Sequence, residues 1–121
     1  MQMYGNMNDD LRNAANLMSS GAFLEAANAY RTIYQTRPDH AAIAASQVGA
    51  ALFFLRNFND AIAWYRESGR LGLDPRMVND NIQEAEEAQR APYTPKVGDI
   101  VLVQTGELLR YDADGTWKPH R

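Results

Sequence analysis

Along the first ninety residues, hydrophobic side chains recur at the three- and four-residue spacing typical of amphipathic helices. A first run over residues 11–18 meets Ser and Gly at residues 19–21, which favour helix caps and left-handed backbone. A second run covers residues 23–34 and stops before Pro38, because proline disfavours helical backbone at the residue before it. The pattern predicts two helices joined by a short corner.

The same arrangement returns 35 residues later. Identical residues at this spacing include Leu17 and Leu52, Phe23 and Phe58, Ala26 and Ala61, Tyr30 and Tyr65, and Arg31 and Arg66. The second copy predicts helices over residues 41–55 and 58–71 around a polar corner at residues 56–57. Small residues recur among these large ones, so we expect the two helices of each pair to approach closely. Self-similarity at a fixed spacing indicates a repeat architecture.

The repeated residues resemble the tetratricopeptide repeat. In each copy a small residue, a leucine, an aromatic residue, an alanine and a second aromatic residue follow in that family's order, closed by Pro38 or Pro75. The spacing is one longer than the family's usual period of about 34 residues, and Asp10 and Ala45 replace a large residue early in the first helix. The resemblance implies a mainly α fold, an α-α superhelix of two helix pairs.

The chain after the two pairs predicts a cap and a small β segment. Asp74 and Pro75 suit the start of a capping helix over residues 76–91. The expected organisation is a flexible N-terminus (1–7), a helical repeat domain (8–91, with repeats of about 8–40 and 41–75), a linker (92–98) and a β-hairpin or meander (99–121). So short a β segment is marginal alone. We expect it to pair with another copy, or to lean on the helices through the apolar side chains of Val101, Val103, Leu109, Tyr111 and Trp117.

Composition narrows the classes of function. The net charge of −3 supplies no basic field for nucleic acid, and cysteine is absent. The two histidines have no metal-ligand spacing with another His or Cys, and no nucleophile stands beside a base. We therefore expect a soluble, cytoplasmic protein that is not an enzyme, holds no metal or cofactor, and neither binds nucleic acid nor inserts into a membrane.

The family resemblance also implies a place for a partner. The first helix of each tetratricopeptide repeat lines a concave groove that receives a peptide segment. Carried over to this chain, the groove residues are Asn8, Leu11, Ala15, Met18, Ile43, Ser46, Ala50, Phe53 and Phe54. Members that hold a C-terminal carboxylate carry Lys, Asn and Arg at several of these places. Here the places are apolar or small, so we expect an apolar or amphipathic segment.

The adjacent pair Phe53 and Phe54 is the most distinctive feature of this predicted groove, because two neighbouring residues of one helix point in different directions. One ring is expected to face the groove, unless the capping helix or the tail covers it. The sequence thus favours a protein-interaction module with an adaptor, assembly or scaffold role. The alternative is a structural subunit that self-associates through its helices and β tail.

Overall fold

The structure, a computed structural model, describes residues 7–120; the side chains of Met7 and Asn8 lie outside this description. Five helices precede a three-stranded antiparallel sheet, which confirms the mainly helical fold and selects the meander over the hairpin. The helices are α1 (Met7–Ser19), α2 (Phe23–Thr36), α3 (Ala41–Phe54), α4 (Phe58–Arg70) and α5 (Pro75–Arg90), with a short 3-10 turn at Pro38–His40. The strands are β1 (Ile100–Leu102), β2 (Leu108–Tyr111) and β3 (Trp117–Pro119).

The boundaries of α2 to α5 agree with the predicted ones to within two residues, whereas α1 begins four residues before the predicted run of residues 11–18. Met7, predicted as part of the N-terminal segment, is the first residue of α1, and residues 1–6 of that segment lie outside the described part. At the start of α5, the Asp74 side chain accepts the N–H of Arg76, and Pro75 occupies the first turn. None of the described helices has the length and apolar character needed to cross a membrane.

Helix packing follows the order of the chain. The extensive helix contacts join α1 to α2, α2 to α3, α3 to α4 and α4 to α5. The central helix, α3, contains only apolar and small uncharged residues apart from one glutamine, and half of its positions are buried. It is covered by α2 on one side and by α4 on the other.

Helices α3 and α4 approach each other closely at Gly49 in α3. A β-carbon at this position would lie 2.7 Å from the Tyr65 ring and 3.1 Å from the Ala61 carbonyl oxygen of α4. Only glycine lets the helices come this near, which confirms the predicted packing of small residues against large ones. The equivalent position in the first pair is Ala14, which is fully buried.

The corners between paired helices repeat with the same 35-residue spacing. In these two corners the residues with left-handed backbone are Gly21 (φ 82°) and Arg56 (φ 58°). Each lies two positions after the last residue of the first helix of its pair. Both corners have the double hydrogen bond of a Schellman cap. Its bonds are Ala22 N to Leu17 O (2.9 Å) and Gly21 N to Met18 O (3.1 Å), matched by Asn57 N to Leu52 O (2.9 Å) and Arg56 N to Phe53 O (2.9 Å).

The C-terminal sheet has strand order β1-β2-β3. Val101 pairs with Leu109, and Tyr111 pairs with Trp117, so apolar side chains line up across one face. The tight turns contain Gly106 and Gly115, both with positive φ. In the second turn the Gly115 N–H donates to the Asp112 carbonyl at 3.0 Å, and Asp114 accepts the backbone N–H and hydroxyl of Thr116.

Candidate functional site

The β tail docks on the corner between α3 and α4. The N–H of Leu102 donates to the Leu55 carbonyl at 2.8 Å, and the Leu102 side chain packs against the buried helical core. The Gln104 side-chain amide donates to the side-chain oxygen Oδ1 of Asn57 at 2.7 Å. Asn57 is buried and also caps α4, where it accepts the N–H of Asp60 at 3.3 Å. Of the two arrangements expected for the tail, the structure has the one in which it leans on the helices.

Arg56, which lies between Leu55 and Asn57 in this corner, holds the linker that precedes the sheet. The Arg56 guanidinium lies 3.6 Å from the centre of the Tyr93 ring and 5.0 Å from that of Phe58. The Tyr93 hydroxyl donates to Asp99 at 2.7 Å, and Asp99 also accepts the N–H of Lys96. Partial burial and then the Asp99 bond raise the pKa of Tyr93 to about 12. The Lys96 N–H and then the Tyr93 hydroxyl lower the pKa of Asp99.

Between the first corner and the sheet lies a cleft of about 620 Å³, which we call the corner cleft. Its helical wall includes Phe23 and Phe54, whose rings stack with centres 4.9 Å apart and planes 18° apart. Ile100 and Leu108 of the sheet form the facing wall. The Phe54 side chain is 53% exposed even though it stacks on Phe23. The cleft therefore has apolar walls that remain open to solvent.

A second cavity, of about 590 Å³, lies at the second corner, on the other face of the sheet. It runs between Phe58 and Tyr93 on the helical side and the strand residues Val101, Leu109 and Trp117. These strand residues were expected to pack the tail onto the helices. The residue that instead enters the core is Leu102, whose side chain points to the opposite face from Val101 because neighbouring strand residues alternate.

The predicted groove residues fall into two groups. Leu11, Ala15, Met18, Ile43, Ser46 and Ala50 lie on α1 and α3, and we call them the α1/α3 face; neither cavity is lined by them. Ile43 is 52% exposed, Ala15 is exposed, and the other four are partly buried. The side chain of Asn8 lies outside the described residues.

Phe53 and Phe54 belong to the corner cleft rather than to the middle of the α1/α3 face. The Phe53 ring is partly buried and packs edge-on against Phe58 with centres 5.5 Å apart, while Phe54 is exposed and stacks on Phe23. The two rings thus point in different directions, as the sequence predicted. The sequence signal for the cleft was the repeat itself, because Phe23 and Phe58 occupy the same position in the two copies.

An aromatic and charged cluster that sequence reasoning missed joins α2 to α4. The Tyr34 hydroxyl donates to Glu67 at 2.6 Å, and Arg70 pairs with both carboxylate oxygens of Glu67 at 2.6 and 2.7 Å. The Arg70 bonds and then the Tyr34 bond lower the pKa of Glu67 to about 2. Trp64 packs edge-on against Tyr34, and Arg31 lies over the Trp64 ring. The cluster fastens one helix pair to the next.

The described residues include no group of three or more His, Asp or Glu side chains placed to hold a metal ion. Comparison with protein-family models, with curated proteins and with solved structures finds no significant match to this chain. A functional proposal for the protein therefore depends on its own residues and contacts.

Proposed function

We propose that the chain is a protein-interaction module in which the α1/α3 face receives an apolar or amphipathic segment of a partner protein. The observation that carries the proposal is the composition of α3. This helix has no charged side chain on any face, yet Ile43 is about half exposed. A helix that is apolar all round is normally covered on every side.

The cover that the chain itself supplies is incomplete. The helices α2 and α4 pack on two sides of α3, and the hydrogen bonds that hold the β tail lie at the corner formed by residues 55–57. The remaining side carries Ile43 with the small residues Ser46 and Ala50 beside it. Small residues next to an exposed aliphatic side chain let a partner backbone approach closely, so a second protein segment fits this side.

The order of helix contacts supports an open stack of the tetratricopeptide type. In such a stack each helix packs mainly on its neighbours in sequence, so the first helices of successive pairs line one hollow side. The contacts between consecutive helices follow this pattern, and the two Schellman corners with 35-residue spacing give the pairs the same geometry. The α1/α3 face would then be the hollow side. A segment would bind there by helix-in-groove contacts.

The second candidate is a structural subunit that binds another copy of itself. The observation that favours it is the β tail, whose faces both carry apolar residues and remain partly exposed. Measurement of mass in solution over a wide concentration range separates the candidates. A strict monomer at all concentrations contradicts self-association, whereas a concentration-dependent dimer that uses Ile43 contradicts a separate partner.

The proposal is tested by capture of partners with tagged protein in extract of the source cell, followed by mass spectrometry. Ile43→Glu places a charge in the middle of the α1/α3 face, so it should remove the specific partner. The matched control is Met77→Glu, because Met77 is equally exposed at 52% and lies on α5, away from that face. Equal recovery of the same proteins with the wild type and both variants would contradict the proposal.

A further inference from the structure

Within residues 7–120, a strand is docked on one of the two equivalent corners. At the second corner the Leu55 carbonyl accepts the N–H of Leu102 from β1. The residue 35 positions earlier is Ser20, and within the described part of the chain its carbonyl accepts no hydrogen bond. Both carbonyls precede a left-handed residue and follow the same Schellman pattern, so they project from the same local geometry.

The surroundings of the two carbonyls are also alike. Each corner is followed by an aromatic residue that opens the second helix, Phe23 in the first and Phe58 in the second. At the second corner Phe58 is only 7% exposed and belongs to the buried core. At the first corner Phe23 borders the open corner cleft, together with Phe54. The chain thus contains a strand-docking site in use and an equivalent site with space beside it.

We propose that the first corner binds an extended segment of a partner protein in the way that the second corner binds β1. The Ser20 carbonyl accepts an N–H from the segment, and an aliphatic side chain of leucine size enters the corner cleft. The ring pair Phe23 and Phe54 contacts this side chain from the helices, and Ile100 and Leu108 contact it from the sheet. The α1/α3 face takes no part, so this site stands independently of the proposed function.

The differences between the corners define what the segment needs. Asn57, which holds the Gln104 amide at the second corner, corresponds to Ala22 at the first. Arg56, which covers the Tyr93 ring, corresponds to Gly21. The first corner itself therefore contributes neither a side-chain amide acceptor nor a cation, and the Arg56 that lines the same cleft belongs to the second corner. Selection at the first corner comes from the aliphatic side chain and the extended backbone. A glutamine placed two residues after that side chain, as Gln104 is after Leu102, does not raise the affinity there.

The chain's own docking strand is the probe for this site. An unlabelled peptide with the sequence of residues 96–104 is added to the isotope-labelled full-length protein, and binding is mapped from the amide NMR signals of the protein. The expected result is a shift of signals at residues 20–25 and at the cleft residues Ile100 and Leu108, with the Leu102 signal unchanged because the tail stays docked on the second corner. A second peptide, with alanine in place of the residue equivalent to Leu102, should bind about tenfold more weakly, since the aliphatic side chain supplies the apolar contact.

Protein variants complete the test. Phe54→Ala removes one cleft wall and should weaken binding of the wild-type peptide about tenfold, whereas Phe54→Leu keeps an apolar wall and should retain most of the affinity. Met77→Ala and Ile43→Glu should leave it unchanged. No binding, shifts confined to residues 55–57 with release of the tail, or equal binding to Phe54→Ala would each overturn the inference. The amide spectrum of each variant shows directly that it is folded.

Discussion

Arg56 occupies a backbone conformation that costs a non-glycine residue about 1–2 kcal/mol. Its φ is 58°, and the equivalent residue of the first corner is Gly21. The side chain offsets part of this cost, because its guanidinium lies over the rings of Tyr93 and Phe58. The second corner therefore has a strained residue where the first has glycine, and this residue holds the linker against the helices.

Two substitutions at this position separate the strain from the side-chain contact. Arg56→Ala loses the contact with Tyr93 and keeps the strain, whereas Arg56→Gly loses the contact and relieves the strain. We expect the glycine variant to be more stable than the alanine variant by about 1 kcal/mol in urea unfolding. This order is the reverse of the one found at ordinary positions. An alanine variant of equal or greater stability would show that the backbone at Arg56 is not left-handed.

Gly49 sets the distance between α3 and α4. In Gly49→Ala the new methyl group would lie 2.7 Å from the Tyr65 ring, an overpacking that costs about 1–3 kcal/mol. Alanine is the better helix former by about 1 kcal/mol, so we expect a net loss of about 1 kcal/mol in the free energy of unfolding. The matched control is Gly69→Ala in α4, where the methyl would meet only the Val78 side chain at 3.3 Å. Stability of Gly49→Ala at or above that of Gly69→Ala would contradict the packing described.

At the scale of elements, the cluster of Tyr34, Glu67 and Arg70 connects the two helix pairs. The pKa of Glu67 is lowered to about 2 by the Arg70 and Tyr34 hydrogen bonds, against an ordinary value of about 4.3 in an unfolded chain. A lowered carboxyl pKa means that the ionised form is favoured by folding. Its stabilising effect is complete above the unfolded pKa and is lost as the pH falls towards the folded pKa.

This sign predicts a pH-dependent difference between the wild type and Glu67→Gln. Near neutral pH the wild type should unfold at a higher urea concentration than the variant, because glutamine cannot form the ion pair with Arg70. The difference should shrink between about pH 4.5 and pH 2 as Glu67 is protonated. Asp99 and Asp114 also have lowered pKa values, but they are shared by both proteins and cancel in the comparison. A constant difference over this range would contradict the role of Glu67.

The helices and strands were largely predictable from the sequence, because each is defined by local signals. Gly21 ends the first corner, and Asp74 with Pro75 starts α5, as their backbone preferences require. The docking of the tail was not predictable to the residue. It depends on the Leu55 carbonyl and on Leu102, two groups whose encounter is a tertiary event without a pattern in the sequence.

At the scale of the whole molecule, the chain is a row of consecutively packed helices with a small sheet fixed to the corner that joins α3 and α4. The sheet contributes a wall to each of the two cavities, one on either side of it. The α1/α3 face lies outside both cavities. The corner cleft is formed by helices and sheet together, whereas the residues of the α1/α3 face all belong to helices.

Some of the predicted site residues lie on the α1/α3 face, and others line the corner cleft. The helix pattern of the sequence placed Ile43 and its neighbours on α1 and α3, and the resemblance to the tetratricopeptide repeat implied that they share one groove. The location of Phe54 in the corner cleft required the position of the tail, because Ile100 and Leu108 form the opposite wall. Sequence spacing places residues on a helix, but only the packed chain shows what stands opposite them.

The most direct test of the central claim is site-specific photo-cross-linking in the source cell, with a photoreactive phenylalanine derivative at position 43 and, as the control, at position 77. If the α1/α3 face receives a partner, light should produce a discrete adduct with a different protein from position 43 and none from position 77. Adducts of equal yield from both positions, or an adduct from position 43 that contains only a second copy of this chain, would contradict the account.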